Sequence, residues 1–66
     1  MTFCKLLAEN KKDNISVSAW ENTEKFSSVP SYEIYVSKDS IAFITAKAAK
    51  TTWKKKFNEY CAQYLR

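Results

Sequence analysis

The chain contains no glycine and no histidine, a single proline (Pro30), two cysteines (Cys4 and Cys61) and one arginine (Arg66). Each shortage removes something. Without glycine, phosphate-cradling Gly-rich loops are excluded. Any turn that needs a positive φ must then use Asn or Asp, and Asp13-Asn14 and Lys38-Asp39 are the candidates. Without histidine, the usual general base and the commonest metal ligand are missing. Seven carboxylates are present, but none can pair with a histidine and none lies in the kind of apolar stretch that tunes a carboxylate for acid–base work. Two thiols fall short of the roughly four ligands of a zinc site, and no histidine is there to activate them. Enzymatic activity, a metal and a cofactor are therefore not expected. No apolar run approaches the roughly 18 residues of a membrane span, and the N-terminus lacks a charged n-region followed by an apolar h-region. The expectation is a cytoplasmic protein away from the membrane, with both cysteines reduced and buried.

What is present belongs to a folded domain. Hydrophobic residues make up 45% and charged residues 27% of 66 positions, a globular rather than a disordered balance. A chain of this length buries only about 60% of the surface it exposes when unfolded, so residues 1–66 are read as one domain with one small core and little room for a deep pocket. The net charge is +4, and ten of the eleven basic residues are lysine.

The most strongly patterned stretch is Ala46 to Arg66. On a 3.6-residue wheel, Ala46, Ala49, Trp53, Phe57, Tyr60, Cys61 and Tyr64 share one stripe, the spacing of an amphipathic helix. Thr45 is the expected N-cap. Six cations stand in this segment against Glu59 alone, so its net +5 exceeds that of the whole chain.

Earlier in the chain, Thr2 to Glu9 is predicted as a short helix from its i, i+4 pairs Phe3/Leu7 and Cys4/Ala8, with an extended strand as the alternative reading. Asn10 to Asn14 is a polar turn. Ile15 to Trp20 alternates as a half-buried strand. Glu21 to Ser31 is a polar connection holding Pro30, with Phe26 and Val29 dipping into the core. Tyr32–Val36 and Ser40–Thr45 form a hairpin. The expected fold is thus α+β: a small three-stranded antiparallel sheet packed on a C-terminal amphipathic helix, with a short N-terminal helix (α-β-β-β-α). Its helix-covered face would carry Ile15, Val17, Tyr32, Ile34, Val36, Ile41 and Phe43. The other face would carry Ser16, Ser18, Trp20, Glu33, Tyr35, Ala42 and Ile44 and meet solvent.

The order helix, three strands, helix is similar in topology and length to that of double-stranded-RNA-binding domains. The chain lacks the glycine-rich strand connections and the Ser-Lys-Lys helix start of that family, and no family is identified from it.

Two sets of residues are candidates for function. Lys47, Lys50, Lys54 and Lys55 could contact nucleic-acid phosphates from the terminal helix, each neutralised phosphate releasing counterions. Arg66 is the only arginine, so bidentate guanine readout and strong sequence specificity are not expected. The second set, Trp20, Tyr35 and Ile44, would stack on bases or anchor a protein partner, and the low charge around it suits a protein. The leading expectation is a small non-catalytic nucleic-acid-binding protein. The alternative is a protein-binding inhibitor or adaptor of the phage or mobile-element kind.

Overall fold

The computed structural model describes residues 2–24 and 30–65. Four strands precede one helix: β1 (Thr2–Lys12), β2 (Ile15–Glu24), β3 (Ser31–Lys38), β4 (Ile41–Ala48) and α1 (Trp53–Tyr64). The strands pair antiparallel in chain order, β1-β2-β3-β4. The fold is α+β, with the helix lying across one face of the sheet.

Two tight hairpins stand where glycine would ordinarily be used. Asp13 (φ 56) turns β1 into β2, and Asp39 (φ 54) with Ser40 (φ 68) turns β3 into β4. Positive φ at both central residues twists the second turn to match its strands, and Asp tolerates that region better than most residues. The two turns are tied to each other at one end of the sheet. The Asn14 Nδ2–H donates to Asp39 Oδ1 at 2.6 Å, and the Asp39 backbone N–H donates to the Asn14 carbonyl at 3.0 Å.

The expected N-terminal helix is instead the edge strand β1. It pairs with β2 from Thr2↔Glu24 to Lys12↔Ile15, with a bulge between Leu6 and Ala8. The bulge inserts Leu7 as an extra residue, so Leu7 and Ala8 both pack on the core while Leu6 is exposed. Two consecutive inward residues break the period-two pattern and imitate helical spacing. The sheet accordingly has four strands rather than three, and the architecture departs from the helix-first order of double-stranded-RNA-binding domains.

The helix is shorter than expected. Residues 45–48 belong to β4, where Ala46 pairs with Ile34 and Ala48 with Tyr32. Alanine and lysine favour helix, but pairing with a buried neighbouring strand overrides that modest preference. Thr45 is thus a strand residue. The N-cap is Thr52, which makes no side-chain capping bond. Its Oγ1 instead accepts from the Ala49 backbone N–H at 3.0 Å, closing the connection that leads into the helix.

Val17, Ala19, Ile34, Val36 and Phe57 form the buried cluster, with Trp53, Tyr60, Cys61 and Tyr64 packed around it. The helical part of the expected seam therefore docks as its spacing requires. Tyr32 is also buried, its ring stacked parallel on Trp53 at 6.5 Å. A second bulge, between Val36 and Ser37, leaves Phe43 as the extra residue of β4. Ile41 is 70% exposed and Phe43 51% exposed, correcting their assignment to the core, although Phe43 still meets Tyr64 edge-on at 6.0 Å. Phe26 and Val29 lie outside the described residues.

Phe57 is the one buried residue of α1, so Phe57→Ala should cost about 3–5 kcal/mol, the range for removing a buried phenyl. Phe43→Ala should cost under about 1 kcal/mol, as surface substitutions do. Urea denaturation of the two variants checks the contrast, and equal losses would contradict this core.

Candidate functional site

Because α1 contacts β2, β3 and β4 on one side, the register assigns side chains to the second face. Across the sheet one row runs Leu6, Trp20, Glu33, Lys47, and the next row holds Ser18, Tyr35 and Thr45. Trp20 and Tyr35 are thus diagonal neighbours. Both are half-buried rather than fully exposed, which corrects the expectation of a bare aromatic face. Each is held by hydrogen bonds within its own strand. The Trp20 indole Nε1–H donates to Ser18 Oγ at 3.0 Å, and the Tyr35 hydroxyl donates to Glu33 Oε2 at 2.9 Å. The other carboxylate oxygen, Oε1, accepts from Asn22 Nδ2 at 3.1 Å. That bond also orients the amide, since only its nitrogen can donate, and leaves Asn22 Oδ1 buried without a partner. Ile44 pairs with Val36 in β4, a register position of the helix-covered face, which corrects its grouping with Trp20 and Tyr35; its side chain is outside the described ones.

These side chains surround a shallow depression of about 360 Å³ lined by Cys4, Trp20, Asn22, Glu33 and Tyr35. Cys4 is exposed there and Cys61 is half-buried on the helix side, and both thiols are free. The expectation of two buried cysteines fails for Cys4 because β1 is an edge strand. The Cys61 sulfur accepts from Asn10 Nδ2 at 3.5 Å. Hydrogen bonding to Glu33, with desolvation and the nearby carboxylate adding to it, raises the Tyr35 pKa above the ordinary 10.0. The Tyr32 hydroxyl donates to Glu21 Oε2 at 2.9 Å, and that bond raises its pKa in the same direction.

The lysines are distributed differently from expectation. Only Lys54 and Lys55 of the proposed four are on α1. Lys47 is in β4 opposite Glu33, which puts it on the second face of the sheet. Lys50 sits in the connection between β4 and α1. All four are exposed, and Lys56 beside them is half-buried. The Lys54 ammonium stands 5.8 Å from the Trp53 ring centroid. Thr52, Lys55, Lys56 and Glu59 line a second shallow groove of about 300 Å³ at the start of the helix. The first turn of α1 holds no acidic residue and its last turn no basic one, so the lysines oppose the helix dipole instead of complementing it.

Among the described residues, no three His, Cys, Asp or Glu side chains are grouped to hold a metal ion, and no helix is long and apolar enough to cross a membrane. Comparison with protein-family models, with characterised proteins and with solved structures finds no match for this chain. The contribution of Cys4 and Asn22 to the depression was hidden in the sequence, because β1 had no clean alternation and β2 runs on to Glu24, beyond Trp20. Once β1 is read as a strand, Cys4 falls opposite Asn22.

Both tyrosines keep their protons more tightly folded than unfolded. The stabilisation this brings is complete below pH 10, the ordinary tyrosine value, and is lost as pH rises through the higher folded values. Denaturation midpoints should therefore begin to fall above about pH 10, and less steeply in Tyr35→Phe. Absorbance titration at alkaline pH should show one late-ionising tyrosine fewer in that variant. An unchanged titration would contradict the Tyr35–Glu33 bond.

Proposed function

We propose that this chain is a non-catalytic binding protein that holds a nucleic-acid backbone at the junction of β4 and α1. One observation carries the reading: between Asp39 and Glu59 the sequence holds five lysines and no carboxylate. Four of them, Lys50, Lys54, Lys55 and Lys56, gather at the connection and the first helical turn. Cations at a helix N-terminus each cost about 0.3–1 kcal/mol against the dipole. A bound phosphate reverses that sign, meeting both the lysines and the positive end of the helix dipole. Lys47 stands apart on the second face and would reach only a ligand that wraps the sheet edge.

Lysine ammonium groups act as point charges without the bidentate fork of arginine. The contacts are therefore to phosphate, fixing position and carrying little base information. A second reading, a protein-binding inhibitor or adaptor, is favoured by the depression at Trp20 and Tyr35, residue types that dominate protein interfaces.

Anisotropy titration of labelled single-stranded and duplex oligonucleotides at two salt concentrations tests the first reading. With about three phosphates neutralised, affinity should fall roughly forty-fold for the duplex and roughly twenty-fold for the single strand between about 50 and 200 mM salt. The combined Lys50→Glu, Lys54→Glu and Lys55→Glu variant should lose nearly all binding at the lower concentration. No binding by the unaltered chain at about 50 mM salt, where backbone contacts are strongest, would remove the reading.

A further inference from the structure

The depression on the second face differs in chemistry from the lysine junction. Its only ionisable carboxylate, Glu33, is held by two neutral donors, Asn22 Nδ2 and the Tyr35 hydroxyl. Neutral donors fix the rotamer without neutralising the charge, and the cation opposite Glu33 in β4, Lys47, is exposed to solvent. Trp20 lies directly across the strand pair from Glu33, and Tyr35 follows two residues along β3 on the same face. A fixed carboxylate is thus flanked by two aromatic rings, the Trp held through its indole N–H and the Tyr through its hydroxyl. Aromatic faces attract cations, tryptophan most strongly, and a neighbouring carboxylate adds direct attraction.

We infer that this depression receives the guanidinium of an arginine side chain presented by a protein partner. Guanidinium is favoured over ammonium on three grounds. It is planar and stacks on aromatic faces, it is more weakly hydrated, and its parallel N–H donors match the one free acceptor position left on each Glu33 oxygen. A protein source is favoured over a small free cation because the site is shallow, whereas small-molecule sites enclose most of their ligand. The surrounding face offers the exposed Leu6 and the small polar, half-buried Ser16 and Ser37 as a rim. Nucleic acid is disfavoured here, since a central carboxylate repels phosphate. The inference is independent of binding at the lysine junction.

The test follows the Trp20 indole and Asn22 side-chain amide resonances by two-dimensional NMR, with a blocked Gly-Arg-Gly peptide and its citrulline counterpart as probes. Citrulline keeps the shape of arginine and removes the charge. The arginine peptide should give saturable shifts at both groups, with affinity about ten-fold above the citrulline peptide. Glu33→Gln, which keeps the volume and one of the two acceptor oxygens while removing the charge, should bring the two peptides level. The Lys50, Lys54 and Lys55 to Glu variant should bind the arginine peptide as the unaltered chain does, separating this site from the nucleic-acid reading. The inference is overturned by equal responses to the two peptides, by no saturation at tens of millimolar, or by an arginine preference that survives Glu33→Gln. Shifts of the same two resonances with a single-stranded oligonucleotide, in place of the peptide, would also overturn it.

Discussion

One helix can cover only one face of a four-stranded sheet, and the contact that decides which face is Phe57 against Val17, Ile34 and Val36. These three strand residues are fully buried, and Phe57 is 8% exposed. Burying side chains of this size stabilises by about 1.5–3 kcal/mol each, a large share of what a domain this small possesses. Because strand side chains alternate, fixing Val17 and Ile34 inward fixes Trp20 and Glu33 outward. The placement of both candidate binding regions therefore descends from that one packed layer.

Irregular positions adjust the layer at its margins. The bulge in β1 turns Leu7 and Ala8 inward together, and the bulge in β4 displaces Phe43 toward Tyr64. Two aspartates and a serine supply the positive φ that no glycine is present to supply. Lys50, Lys54, Lys55 and Lys56 collect where β4 passes into α1, while a carboxylate and two aromatic rings form a depression on the face the helix leaves. Of the five lysines between Asp39 and Glu59, Lys47 alone stands on that face, opposite Glu33.

Much of the fold was legible in the sequence. Clean alternation in Ile15 to Trp20 and Tyr32 to Val36 identified both central strands and both of their faces. The helical seam from Trp53 to Tyr64 was visible because large apolar residues recur at three and four positions. The edges were not legible, for a physical reason. A bulge erases period two, and β1 borrows its order from β2 rather than from its own helix-favouring residues. Ala46 to Ala48 misled in the opposite sense, since alanine-rich sequence extends a helical pattern backward until a neighbouring strand claims it. Trp20 and Tyr35 were placed correctly on their face, but the Tyr35–Glu33–Asn22 bonding that shapes the depression needed the register. Lys47 could be assigned to the sheet only after β4 was known to continue to Ala48.

The face that α1 covers is measured most directly by the proton–proton contacts of the Phe57 ring in solution. Strong contacts are expected from that ring to the methyl groups of Val17, Ile34 and Val36, and none from any α1 side chain to Trp20 or Tyr35. Contacts joining α1 to Trp20 or Tyr35, with the three aliphatic residues silent, would place the helix on the other face and contradict this packing.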